Sequence, residues 1–180
     1  RRHAIFCHKD DAVRRRCSVV GVGQLFLRGE NTEDIIVLLR RLPEEGREFH
    51  GVIYFGLMLT PEGPKVLEYN ARFGDPETQV ILPRLKSDLV DIFEACIDGT
   101  LDQMKIEWED NAAVCVVLAS GGYPVSYKKG YPIQGLHAFD GQEDMMIYHA
   151  GTAFDDQGQI VTNGGRVLGI TVLAPTLEEA

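Results

Sequence analysis

Pro64-Lys65-Val66-Leu67-Glu68-Tyr69-Asn70-Ala71-Arg72-Phe73-Gly74-Asp75-Pro76-Glu77-Thr78-Gln79 carries more chemistry than any other stretch of the 180 residues. It follows an apolar run, Gly51-Val52-Ile53-Tyr54-Phe55-Gly56-Leu57-Met58-Leu59, and the turn Thr60-Pro61-Glu62-Gly63-Pro64 makes the two into a β-hairpin. Side chains alternate along a strand, so Glu68 and Asn70 project from one face. A carboxylate and an amide oxygen side by side are hard ligands suited to magnesium, which keeps its other positions for water and substrate phosphates. A solvated strand end is the plainer reading of a Glu-x-Asn pair, and the continuation argues against it. Arg72 keeps the same parity and is suited to a carboxylate or phosphate. Gly74 allows a turn, Asp75 is a natural helix cap, Pro76 fits a first helical position, and Glu77 falls in the first turn.

Glu68 to Glu77 resembles the signature of the phosphoribosylamine–glycine ligase family, ATP-grasp enzymes of purine synthesis. The resemblance covers about residues 45–180. It includes 51–60, 82–89, Ala113 to Pro124 with Ser120-Gly121-Gly122-Tyr123-Pro124, His149-Ala150-Gly151-Thr152, and Thr162-Asn163-Gly164-Gly165-Arg166-Val167-Leu168. Glu-x-Asn-x-Arg is shared by several ligases, whereas Phe73 to Glu77 is far more restrictive. The resemblance implies a reaction of ATP, glycine and 5-phosphoribosylamine to ADP, phosphate and glycinamide ribonucleotide, through glycyl phosphate. It implies Glu68 and Asn70 as ligands of Mg2+ or Mn2+, Leu67, Glu68 and Asn70 at the ATP, and Arg72 and Asp75 as catalytic groups. Arg72, Asp75, Glu77, Gly164, Gly165 and Arg166 are the implied substrate contacts. Read as residues, Asn163-Gly164-Gly165-Arg166 offers a ligand close approach to the backbone beside a charge, or else is a hairpin turn with an exposed Arg. His149 beside a strand reads as structural before catalytic.

In ATP-grasp enzymes a second subdomain adds lysines and a glycine-rich loop over the phosphates, and neither is recognisable here. The chain has no Gly-x-x-x-x-Gly-Lys-Ser/Thr, and Gly21-Val22-Gly23 has Phe26 where a dinucleotide fingerprint wants glycine. Weak ATP binding by this chain alone is therefore expected. Residues 1–43 fit no pattern: the first sixteen are basic, with Arg1, Arg2, Lys9, Arg14, Arg15 and Arg16 against Asp10 and Asp11, although the whole chain is at −9. A basic arm, a rearranged start and a divergent piece of the ATP subdomain all remain open, and the rearranged start is favoured. Without interleaved aromatics the basic run does not read as a nucleic-acid surface, and it is too polar for a signal peptide or membrane span. His3, Cys7, His8 and Cys17 lack zinc-site spacing. Four scattered cysteines fit a reducing, cytoplasmic setting.

The expected architecture is α+β: the C-terminal half of an ATP-grasp core followed by a small mixed, mainly antiparallel β domain. The domains are 1–43 unassigned, 44–106 the metal-binding lobe, and 107–180 the C-terminal domain. Residues 31–42 read as an amphipathic helix stopped by Pro43. A short helix follows Pro76, with Val80, Ile81 and Leu82, and Ser87 caps a longer one ending at Gly99. Both helices are expected to cover the hairpin sheet. Strands are expected at 113–119, 148–153, 159–161 and 167–173. Thr176-Leu177-Glu178-Glu179-Ala180 reads as a helix start whose continuation would cover an apolar sheet face. That face predicts low solubility or a protein partner over it.

Overall fold

Hydrophobic alternation and turn residues give nine strands, β1 to β9, among the residues that the computed structural model describes: 4–6, 19–23, 45–46, 49–61 and 63–180. The expected helix at 31–42 and the His3, Cys7, His8 and Cys17 set lie outside them. By internal contacts the chain divides into two compact units, Arg1–Gly74 with Leu85–Trp108, and Asp75–Arg84 with Glu109–Ala180. The segment Asp75–Arg84, which chain order assigns to the metal-binding lobe, thus groups with the C-terminal residues.

In the first unit, β1 (Ala4–Phe6), β2 (Val19–Gly23), β3 (Gly51–Thr60) and β4 (Gly63–Asn70) form one sheet in that order. β2 runs parallel to β3 and the other pairs are antiparallel. Val52, Ile53 and Tyr54 are all buried, so both faces of β3 are covered where it enters the sheet. Helix α2 (Leu89–Asp98) packs on β3 and buries Ile92 and Cys96, while its apolar Val90, Phe93 and Ile97 are exposed. Its cap is Asp88, whose carboxylate accepts from the Val90 N–H at 2.7 Å. Ser87, the expected cap, instead accepts the Glu107 N–H at 2.8 Å and ties the helix entrance to the 105–108 segment. Gly99 ends the helix in the left-handed conformation, φ 69°. At that end His50 Nδ1–H donates to the Cys96 carbonyl at 2.9 Å, satisfying one orphan acceptor of the last turn.

In the second unit, β5 (Ala112–Ala119), β9 (Arg166–Ala174) and β6 (Met145–His149) form an antiparallel sheet with β9 central. β7 (Thr152–Phe154) and β8 (Ile160–Thr162) pair separately. Helix α1 (Thr78–Ile81) packs on β5 and β9 rather than on the hairpin, burying Val80 and Ile81. Thr171, fully buried on β9, donates its hydroxyl to the Gln79 carbonyl at 2.9 Å. The expected strand at 148–153 is broken in two because Gly151 lies against the backbone of Gly164. A Cβ on Gly151 would stand 2.5 Å from Gly164 Cα. The Gly151 N–H donates to the Arg166 carbonyl at 2.8 Å, and after that contact the chain leaves one sheet for the other. Nor is Asn163-Gly164-Gly165-Arg166 a hairpin turn, because β8 and β9 belong to different sheets. Residues 176–180 make one turn, with Thr176 Oγ1 accepting the Glu179 N–H at 3.3 Å. Val116 and Leu118 on β5 are exposed.

Candidate functional site

The first group of site residues is held by β4 and its register with β3. Glu68 pairs with Gly56 and Asn70 with Tyr54, so Glu68 and Asn70 share a sheet face, as strand parity requires. Glu68 is exposed and Asn70 half-buried. Between them and the turn the register slips: Glu68 faces Gly56 but Val66 faces Leu57, leaving Leu67 as the extra residue of a β-bulge. Leu67 is 64 % exposed. Gly56 matters because it lies under the Glu68 side chain. A Cβ there would stand 2.9 Å from Glu68 Cγ, closer than such atoms pack. Gly56→Ala is therefore expected to displace the Glu68 carboxylate while the sheet persists. Manganese binding, followed by electron paramagnetic resonance, should weaken severalfold with little change in the thermal midpoint.

The strand ends at Asn70, so its alternation does not extend to Arg72. Arg72 is exposed, and its guanidinium donates to the Phe73 carbonyl at 2.9 Å. Among the described residues no three or more His, Cys, Asp or Glu side chains are grouped to hold a metal. Magnesium does not require such a group, since one or two protein oxygens together with phosphates and water complete its shell. The hard oxygens of Glu68 and Asn70, on one face and open to solvent, fit that chemistry.

The second group is built on the second unit. Asp75 is not a helix cap: α1 begins at Thr78, its N-cap is Glu77, and no side chain caps it. The Asp75 side chain is engaged elsewhere. Gln79 Nε2 donates to Asp75 Oδ1 at 2.7 Å. Arg166, at the start of β9, donates to the Asp75 main-chain carbonyl at 2.8 Å and stands 3.7 Å from Oδ2. Both side chains are about half exposed, so the pair contributes little to stability and mainly sets geometry. Glu77 is half-buried, and its carbonyl accepts the Val80 and Ile81 N–H groups, both at 3.1 Å.

Arg166 is aimed by a tightly packed backbone crossing. Ser120 Oγ donates to the Gly164 carbonyl and the Ser120 N–H to the Gly165 carbonyl, each at 2.8 Å. The protein itself fills the space beside both glycines. A Cβ on Gly164 would meet Gly151 Cα at 2.7 Å, and one on Gly165 would meet the Tyr123 ring at 2.2 Å. Close approach is thus the reason for these glycines, but of chain to chain rather than of ligand to backbone. Tyr123 belongs to the Gly121-Gly122-Tyr123-Pro124 turn, where Gly122 has φ 93°. His149 Nδ1 pairs with Thr152 Oγ1 at 3.0 Å at the edge of a cavity of about 290 Å³, lined also by His137, Phe139 and Ile147. The sequence pattern assigns Gly56, Gln79, Ser120 and Gly151 no role of their own. A glycine inside an apolar strand, as at Gly56, was the available signal.

Comparison with known proteins gives the family. Residues 29–78 match the ATP-grasp (A) domain of phosphoribosylglycinamide synthetase, and residues 113–180 match its C domain. The match takes in residues 29–43, which the sequence pattern left unassigned. Parts of an ATP-grasp ligase are therefore present. A phosphoribosylamine–glycine ligase of Caldanaerobacter subterraneus is 58 % identical over 139 residues, 77 % of this chain and 32 % of that protein. One from Halalkalibacterium halodurans is 52 % identical over 148 residues, 82 % of this chain and 33 % of that protein. The crystal structure of the Thermotoga maritima phosphoribosylamine–glycine ligase superposes with a TM-score of 0.69 at 36 % identity, covering 87 % of this chain and 39 % of that one. The chain belongs to the phosphoribosylamine–glycine ligase family and spans about one third of the length of the curated relatives it matches. No helix among the described residues is long and apolar enough to cross a membrane.

Proposed function

We propose that this chain carries two sets of groups for joining glycine to 5-phosphoribosylamine at the expense of ATP: a metal–phosphate anchor and a substrate anchor. The observation that carries the reading is the placement of Glu68 and Asn70 on one face of β4, opposite a glycine that leaves room for the carboxylate. Glu68 and Asn70 would hold a magnesium or manganese ion, which supplies charge neutralisation on phosphate oxygens when bound. Leu67, re-aimed by the bulge and exposed, offers an apolar surface to the nucleotide base. Arg72 is suited to an anionic oxygen of glycine or phosphate once it leaves the Phe73 carbonyl. Asp75 presents a carboxylate that accepts from an amine, as the amine substrate requires, and Arg166 beside it suits the substrate phosphate. Glu77 lies on the same turn as Asp75, while Gly164 and Gly165 shape the backbone that aims Arg166. Such positioning and electrostatic groups supply most of the catalysis in phosphoryl transfer. The setting is cytoplasmic.

A second reading is a module that binds cation and anion without turnover, for which Glu68 and Asn70 on one strand face and the exposed Arg166 would suffice. Phosphate release from magnesium–ATP with glycine and 5-phosphoribosylamine, together with manganese binding, separates the two. Little or no turnover is expected from this chain alone, with measurable manganese binding that depends on Glu68. Turnover abolished by Glu68→Gln would place the whole activity in this chain. Loss of both signals in the folded, unaltered chain overturns the proposal.

A further inference from the structure

Gln79 is the one described residue with a buried side-chain polar atom that has no hydrogen-bond partner, its Oε1. Its amide orientation is nevertheless set by chemistry. An ionised carboxylate only accepts, so the group 2.7 Å from Asp75 Oδ1 is the NH2 and not the carbonyl. A buried acceptor left without a donor is costly, and such a group in a folded protein calls for a reason. The main chain of Gln79 is independently fixed, because the fully buried Thr171 hydroxyl donates to its carbonyl at 2.9 Å. An unbroken chain of contacts therefore runs from the core of β9 through Gln79 to Asp75, and Arg166 holds the Asp75 carbonyl at 2.8 Å.

We infer that Gln79 is a positioning residue for the amine substrate: it fixes the Asp75 carboxylate so that its remaining lone pairs face an incoming amine. The inference rests on the substrate role proposed for Asp75. A simple surface pair between Gln and Asp four residues apart would be weak, and would not account for burying the opposite oxygen. Gln79 acts on the substrate through Asp75.

Two measurements on the full chain test this. The first follows the Asp75 side-chain carboxyl 13C resonance at fixed neutral pH in the unaltered chain, Gln79→Met and Gln79→Glu. The Met variant removes the donor at similar volume, and the Glu variant puts a second carboxylate against Asp75. Both keep the main-chain contact to Thr171, and the amide spectrum reports whether the fold is kept. The second measures glycinamide ribonucleotide affinity by calorimetry in a double-mutant cycle with Asp75→Asn. Expected are a shifted Asp75 resonance, affinity about tenfold weaker in Gln79→Met, and no further loss when that change is added to Asp75→Asn. An unmoved Asp75 resonance in a folded variant overturns the inference whatever the ligand does. A moved resonance with unaltered affinity in Gln79→Met, while Asp75→Asn binds weakly, also overturns it and leaves the proposed function standing. Failure of the unaltered chain to bind, or undiminished binding by Asp75→Asn, removes the role of Asp75 and the inference with it.

Discussion

Glu68→Gln is expected to weaken manganese or magnesium binding by at least about tenfold while leaving the folding midpoint almost unchanged. The substitution keeps shape and removes one negative charge facing a dication. Two unit charges 4 Å apart interact by about 1 kcal/mol in water and about 4 kcal/mol at an effective dielectric of 20, and the second charge of the ion adds to this. A factor of ten corresponds to about 1.4 kcal/mol, so even the screened limit reaches it for a dication. Stability should hardly respond, because Glu68 is exposed and surface substitutions usually stay within about 0.5 kcal/mol. Titration of free manganese by electron paramagnetic resonance, beside a thermal melt, reads both quantities. Unchanged affinity in Glu68→Gln would sink the metal assignment, and loss of fold would show that Glu68 has a structural role instead.

Gly151→Ala should produce a marked loss of stability in the second unit. The added Cβ would stand 2.5 Å from both the Gly164 Cα and the Arg166 carbonyl oxygen. Both are backbone atoms, so no side chain can rotate away. Overpacking of this kind costs about 1–3 kcal/mol. The crossing also aims Arg166 at Asp75, so the variant should lose glycinamide ribonucleotide affinity along with stability. Gly121→Ala is the matched control: nothing lies within 4 Å of a Cβ there, and a change of less than about 0.5 kcal/mol is expected. Chemical denaturation of the two variants compares them directly. Equal stability would show that the 151–164 crossing relaxes freely.

Local pattern made the β3–β4 hairpin readable. Apolar residues through Val52 to Leu59, the Pro-Glu-Gly-Pro turn and strand parity together put Glu68 and Asn70 on one face, as found. The end of α2 at Gly99 was equally legible, since a left-handed C-cap asks for glycine. The helix starts were less so. Ser87 and Asp88 are both good caps, and Asp88 takes the role while Ser87 is drawn to the Glu107 N–H, twenty positions along the chain. Asp75 also looked like a cap, yet Arg166 and Gln79 hold it two residues ahead of Glu77, the actual N-cap. The β1 and β2 strands escaped notice because three and five residues are too few for a periodicity to emerge.

The amino-acid sequence by itself determined the family and the hairpin that presents Glu68 and Asn70 on one face, because these depend on residue identity and short-range alternation. Only the tertiary structure decided what surrounds Asp75 and why Gly151, Gly164 and Gly165 are glycines. Each of those answers depends on backbone and side chains meeting across many residues of chain. The Arg166 contact with Asp75 spans 91 positions and the Thr171 contact with Gln79 spans 92. No local period records a pairing at that separation, since the entropy of closing so long a loop is recovered only by packing the whole unit.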